Sequence, residues 1–135
     1  MVIDTSAIVA IALNEPEATE FEQRIADDPV RLISAATALE AEMVLETRLG
    51  HAGGREFDLW LHKVGAEVVP VNAEQIDAAR RAWRRYGKGR HPAALNFGDC
   101  FSYALALIHG EPLLFKGEDF ARTDIILSVI GHPQG

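Results

Sequence analysis

The sequence predicts one α/β domain over residues 1–135, a mainly parallel sheet of four to five strands with helices on both faces. Three observations predict it. Short apolar runs alternate with longer segments of helical period, the pattern of strands buried on both sides and joined by helical crossovers. A chain of 135 residues can bury one sizeable core without disulfides or metals. Its single cysteine, Cys100, excludes an internal disulfide framework and a cysteine-rich zinc site. The composition, 48% hydrophobic and 24% charged, is that of a soluble globular protein, and no apolar stretch approaches the roughly 18 residues of a membrane span.

"MVID" reads as a buried strand ending at Asp4; it lacks the basic n-region of an export signal, which points to a cytoplasmic protein. "TSAIVAIALN" continues at helical spacing, with Thr5 or Ser6 as candidate N-cap. In "PEATEFEQRIADD", Pro16 and the acids suit a first turn, and Phe21 and Ile25 form one apolar edge of a second helix. "RLIS" is the second strand. "AATALEAEMVLETRLG" is a helix closed by Gly50, then "HAGG" is a loop marked by Gly53 and Gly54, and "REFDLWLHKVG" is another helix. "EVVPV" is a third strand, "NAEQIDAARRAWRRYG" a helix capped by Asn72, and "KGRHPAALN" a loop. "LNFGDCFSYALALI" predicts a central helix, apolar nearly all round; "EPLLF" is a fourth strand and "DIILSVI" a fifth.

In parallel sheets, sites form beyond the carboxyl ends of strands where the strand order reverses, so acids placed there are candidates for chemistry. Asp4 follows a strand directly and is either the cap of the next helix or a metal ligand or phosphoryl acceptor. Glu40, at about 100° per residue, falls between Met43 and Val44 and close to Ala36, on the apolar arc of its helix. A carboxylate there needs a partner, or reaches solvent at the edge of the core. Glu42 and Glu46 fall away from that arc and read as a solvated face. Asp99 stands three residues after Asn96, in a variant of the capping box. The helix start stabilises its charge by roughly 0.3–1 kcal/mol, and a capping carboxylate keeps an outer oxygen for an ion. Glu118, Asp119 and Asp124 follow the fourth strand, on the edge where Asp4 lies. Asp4, Glu40, Asp99 and at least one of that trio can converge on one acidic hollow. Oxygen-only donors favour Mg²⁺ or Mn²⁺. Such an ion suits phosphate esters, because it activates an attacking water and offsets charge on phosphorus.

The net charge of −7 argues against coating nucleic acid by bulk electrostatics. Yet residues 80–91 hold six of the thirteen Lys and Arg residues: Arg80, Arg81, Arg84, Arg85, Lys88 and Arg90. The pairs Arg80/Arg84 and Arg81/Arg85 are like charges one turn apart, unfavourable without an anion, which favours a nucleic-acid backbone track over a merely exposed helix face. Trp83 and Tyr86 either stack on bases or pack inside. The five histidines show no paired metal spacing, and neither a GxSxG elbow nor a phosphate-binding glycine loop is present.

The segments "MVIDTSAIVAI", "NEPE", "LEAEMVL", "LNFGDCFSYALA" and "LLFKGEDFARTDI", in that order along essentially the whole chain, resemble the PIN-domain ribonucleases. Within them, the chain is similar to toxins of the VapC type from bacterial toxin–antitoxin pairs. The resemblance implies a PIN-like three-layer fold, an Mg²⁺-dependent endoribonuclease acting on RNA, a cognate VapB-type antitoxin, and a homodimer that joins two basic tracks. It carries Asp4 and Asp99 over as the main Mg²⁺ ligands, Glu40 as the third acid and Asp119 as the fourth. Asp124 is the alternative for the fourth, because this chain has Gly117 where the family commonly places a further Asp or Asn. Thr5 and Ser6 match as a cap and as hydroxyls supporting the acids. The antitoxin is expected to lay a segment over the acidic groove, with an Arg entering the site. A phosphoacceptor receiver domain would need an acceptor Asp after its third strand, where "EVVPVNAE" has none. A PIN-fold protein that binds without cutting is the other rival; intact acids at 4, 40 and 99 argue against it, and Gly117 leaves it room.

Overall fold

The computed structural model describes residues 1–127. Along the chain run β1 (Val2–Ile3), α1 (Thr5–Ala12), α2 (Ala18–Asp27), β2 (Leu32–Ser34), α3 (Ala35–Leu49), α4 (His51–Val64), β3 (Glu67–Val69), α5 (Ala73–Tyr86), α6 (Phe97–His109) and β4 (Leu113–Leu114). A 3₁₀ turn follows at Phe120–Arg122. The four strands are all parallel, in the order β3-β2-β1-β4. Because successive strand residues face opposite ways, the sheet divides the interior in two. Val2, Leu32 and Leu113 pack with α5 and α6. Ile3, Ile33 and Leu114 pack with apolar residues of α1, α2, α3 and α4. Helices cover both faces because β1, β2 and β4 bury apolar residues on both sides, whereas the edge strand β3 leaves Glu67 and Val68 exposed.

The chain steps outward from β1 through β2 to β3, then returns to place β4 on the other side of β1. Strand order therefore reverses at β1, and the residue that leaves its carboxyl end is Asp4, whose N–H donates to the Leu114 carbonyl at 3.0 Å. Of the fifth strand expected over "DIILSVI", the described part forms one parallel bridge, Leu113 with Leu127; residues 128–130 lie outside the described residues. Among the described residues, no helix is long and apolar enough to cross a membrane.

Three local expectations are corrected. Asp4 itself, rather than Thr5 or Ser6, caps α1, its carboxylate accepting the Ser6 N–H at 3.1 Å. Gly53 and Gly54 lie inside α4, not in a loop; the chain turns at Gly50 alone, whose φ of 71° suits glycine. Packing explains the glycine pair. A Cβ at position 53 would stand 2.5 Å from the Leu45 carbonyl oxygen, and one at position 54 would stand 2.5 Å from the Glu46 carboxylate. Bare backbone at this crossing lets α4 close onto α3. Gly53→Ala is therefore expected to destabilise the fold by about 1–3 kcal/mol, the range of an overpacked contact, despite alanine's better helix propensity. An unchanged or higher urea midpoint would contradict the close crossing.

The third correction concerns α3. Its buried line is Thr37, Ala41 and Leu45, whereas Leu39 and Met43 are 62% and 60% exposed. The sheet and the neighbouring helices cover only one flank of an arc that is apolar on both, and Glu40 lies between the two.

Candidate active site

Asp4 is buried at the switch point of the sheet. One carboxylate oxygen accepts the Ser102 hydroxyl at 2.6 Å; the other accepts the Ser6 N–H at 3.1 Å and the Ser6 hydroxyl at 2.7 Å. Ser102 is fully buried and also lies 3.3 Å from the Thr37 hydroxyl. Ser6 accepts the Lys116 N–H at 2.9 Å, which ties the segment after β4 to the start of α1. Thr5 reaches the other way, donating to Glu40 Oε1 at 2.5 Å. The adjacent hydroxyls at positions 5 and 6 thus hold two different acids.

Asp99 is held by the capping box anticipated for it. Asn96 Oδ1 accepts the Asp99 N–H at 2.9 Å, and Asp99 Oδ2 accepts the Asn96 N–H at 3.0 Å. The helix start does not keep this carboxyl acidic. Burial first, and then the charges of Asp4, Asp119 and Glu40, push its pKa up to about 7, against the lowering effect of the Asn96 N–H. Asp4 at the end of β1, Glu40 of α3 and Asp119 in the loop after β4 thus all act on Asp99. Burial, with Asp99 beside it, also pushes the Cys100 thiol up to about 11, which suits a packing role.

Asp119 and Asp124, the two candidates for the fourth acid, have different surroundings. Asp119 is exposed beside the site and adds to the repulsion on Asp99. Asp124 is drawn away, bound by the Tyr103 hydroxyl and lying 3.4 Å from Arg85. Glu118 points outward, 3.9 Å from Arg122. Gly117, where a family acid was expected, has a φ of 106°, a backbone state that disfavours any side chain.

The basic segment is exposed throughout at Arg80, Arg81, Arg84, Arg85, Lys88 and Arg90. Arg80 bonds Asp77 at 2.8 Å, Arg85 pairs with Asp124, and Arg90 lies over the Trp83 ring at 4.1 Å. No ion pair engages Arg81, Arg84 or Lys88 among the described residues. Of the two aromatics interleaved here, Tyr86 is buried and Trp83 is 45% exposed. Between α5 and α6 an apolar cleft of about 620 Å³ is lined by Ile76, Trp83, Leu95, Phe97 and Phe101. Phe97, two residues from Asp99, is 82% exposed.

Sequence reasoning missed Ser102 and Gly98. Ser102 had a signal, being a small hydroxyl within the apolar run of α6, one turn after Asp99. Gly98 matters because the Glu40 carboxylate lies directly against it.

The donor set is made of carboxylate oxygens whose mutual repulsion a cation would relieve. Among the described residues, no three His, Cys, Asp or Glu side chains group closely enough to enclose an ion. Carboxylate oxygens suit Mg²⁺ chemically, since that ion keeps several of its waters and is bound by one or two carboxylates.

Comparison with known proteins points to one family. A family model described as the PIN domain matches residues 1–126. A "Ribonuclease VapC" of Mycolicibacterium smegmatis is 62% identical over 125 residues, covering 93% of this chain and 97% of that protein. Ribonuclease VapC30 of Mycobacterium tuberculosis is 60% identical, covering 93% and 95%. Among solved structures, M. tuberculosis VapC20, described as a toxin cleaving the sarcin-ricin loop, superposes with a TM-score of 0.75 at 20% identity over 93% of this chain and 95% of that one. VapBC2 of Rickettsia felis, bound to a promoter DNA fragment, gives 0.71 at 16% identity over 94% and 96%. A match that spans every one of the acids and nearly the full length leaves one assignment: the chain belongs to the PIN-domain family, among its VapC-type ribonucleases.

Proposed function

We propose that this chain is the toxin of a toxin–antitoxin pair, an endoribonuclease that hydrolyses RNA phosphodiesters with a divalent cation, Mg²⁺ or Mn²⁺, and is neutralised by a VapB-type antitoxin. The observation that carries this reading is that contacts tie three acids together: Ser102 of α6 donates to Asp4, Thr5 donates to Glu40, and the Glu40 carboxylate lies against Gly98, next to Asp99. Asp4 and Asp99 would hold the ion, with Glu40 and Asp119 beside them. When bound, Mg²⁺ lowers the pKa of an attacking water and offsets the charge developing on phosphorus.

The protein's own part is orientation. Ser6 and Ser102 fix both oxygens of Asp4, Thr5 fixes Glu40, and the capping box fixes Asp99. Each of these bonds removes rotamer freedom before substrate arrives, which is how a site avoids reorganising during reaction. Arg81, Arg84 and Lys88 contact the RNA backbone, and Arg80, Arg85 and Arg90 complete that track, so binding weakens as salt rises. The net charge of −7 keeps the attraction local to this track.

The same face supports a homodimer. Phe97, 82% exposed, stands in the wall of the apolar cleft of α5 and α6, and an exposed apolar patch of this kind can pair with its own copy across a two-fold axis. Phe97→Glu is expected to convert a dimer to a monomer in sedimentation equilibrium; an unchanged mass would rule this face out. The antitoxin partner is supported by structural neighbours described as toxin–antitoxin complexes, including one from Klebsiella pneumoniae.

The deciding experiment incubates the purified chain, freed of any antitoxin, with total cellular RNA and Mg²⁺, beside an EDTA arm and an Asp4→Asn arm. Discrete fragments in the first arm alone are expected, and they name the substrate. Equal patterns in all three arms would sink the metal-dependent reading.

A further inference from the structure

We propose that Gly98 is a positioning residue for Glu40, its missing side chain providing the space in which the Glu40 carboxylate lies against the first turn of α6. The inference rests on reading Glu40 as part of the metal-dependent site. Glutamate is long and has three rotatable bonds, so a helix position alone does not place its carboxylate. Two contacts do so here. On one side Thr5 donates to Oε1 at 2.5 Å. On the other, a Cβ at position 98 would stand 2.3 Å from Oε2 and 2.7 Å from both Cδ and Oε1, closer than real Cβ atoms come to any neighbour. Thr5 directly follows Asp4, and Gly98 directly precedes Asp99. The clamp therefore indexes Glu40 to the two other acids, although it comes from a different helix.

The usual reason for a glycine does not apply. Among the described residues the glycines with positive φ are Gly50, Gly65, Gly89, Gly110 and Gly117, and Gly98 is not one of them. It sits in the first turn of α6, where alanine is the better helix former. What an added methyl would meet is the carboxylate of Glu40, the far end of a flexible side chain that yields by leaving its place. A substitution here should spare the fold and move the acid.

The test uses the full chain as Gly98→Ala, Glu40→Asp and the double variant. Gly98→Ala is expected to cut RNA about 10–100-fold more slowly and to bind Mn²⁺, titrated alone by electron paramagnetic resonance, about tenfold more weakly, the loss typical when a group supporting a metal site is displaced. Its thermal midpoint without metal should not fall. Shortening the acid vacates the space the methyl needs, so the double variant should lose no more than Glu40→Asp alone, whereas independent effects would multiply. The ¹³C resonance of the Glu40 carboxyl reads the displacement without metal or RNA and should move in Gly98→Ala. An unmoved resonance, wild-type cleavage and Mn²⁺ affinity in Gly98→Ala, or multiplied losses in the double variant would each overturn the proposal. Failure of the wild-type chain to cleave or to bind Mn²⁺ would instead strike the reading of the site, and the resonance would still decide the role of Gly98.

Discussion

Asp99→Asn is expected to lower RNA cleavage by about two to three orders of magnitude, as when one preorganised charge-stabilising group is removed from an active site, and at the same time to stabilise the metal-free protein near neutral pH. The two effects share a cause. In the unfolded chain this carboxyl titrates near 3.8, and in the fold at about 7, chiefly through burial and then through Asp4, Asp119 and Glu40. Between those values the folded state holds the extra proton. Stability through this group is therefore greatest at low pH and falls as pH rises from about 4 to about 7, the reverse of a salt-bridged carboxylate. Discounted for solvent screening of a partly exposed group, the ionised form costs about 1–2 kcal/mol at neutral pH. Asparagine keeps the shape and can still accept the Asn96 N–H, so it removes the charge without removing the cap. Thermal unfolding without metal at pH 7.5 and at pH 5 checks this: the variant should be the more stable at pH 7.5, and the difference should shrink at pH 5. Added Mg²⁺ should raise the wild-type midpoint by mass action and leave the variant nearly unmoved. A variant no more stable than wild type at pH 7.5 would mean that burial and the neighbouring acids do not disfavour the ionised carboxylate.

Leu105→Ala is expected to cost about 2–5 kcal/mol, the range for truncating a fully buried leucine whose surroundings relax only in part. Leu105 is 0% exposed, in the core cluster that α5, α6 and the sheet share. It lies on the same helix as Asp99 and Ser102, so the loss should fall on both stability and activity, and cleavage should recover on cooling in proportion to the folded fraction. Urea unfolding gives the first quantity. A variant unfolding within about 1 kcal/mol of wild type would show that α6 is not the central packed element described here. Ile126, also apolar but 61% exposed, provides the contrast, since substitutions at such positions usually stay within about 0.5 kcal/mol.

Local chemistry was legible in the sequence to a considerable degree. The α/β layering, the helix caps at Asn72 and Asn96, the Gly50 stop and the capping box at Asp99 all depend on near neighbours in the chain, and all are present. The glycine pair at 53 and 54 misled because glycine in a loop and glycine at a tight helix crossing look alike until the facing helix is in place. The arc of α3 misled for a similar reason: apolar periodicity marks a face that wants cover but not which flank receives it. Leu39 and Met43 remain exposed while Thr37, Ala41 and Leu45 are covered.

By itself, then, the sequence determined most of the elements and caps and the acids worth considering, because hydrophobic period and capping act over a few residues. Only the tertiary structure decided what surrounds each acid. It drew Asp124 toward Arg85 and Tyr103 and left Asp119 exposed. It set Ser102 under Asp4 and Gly98 under Glu40. These contacts join residues far apart in the chain, and their partners are chosen by the reversal of strand order at β1, which no local pattern encodes.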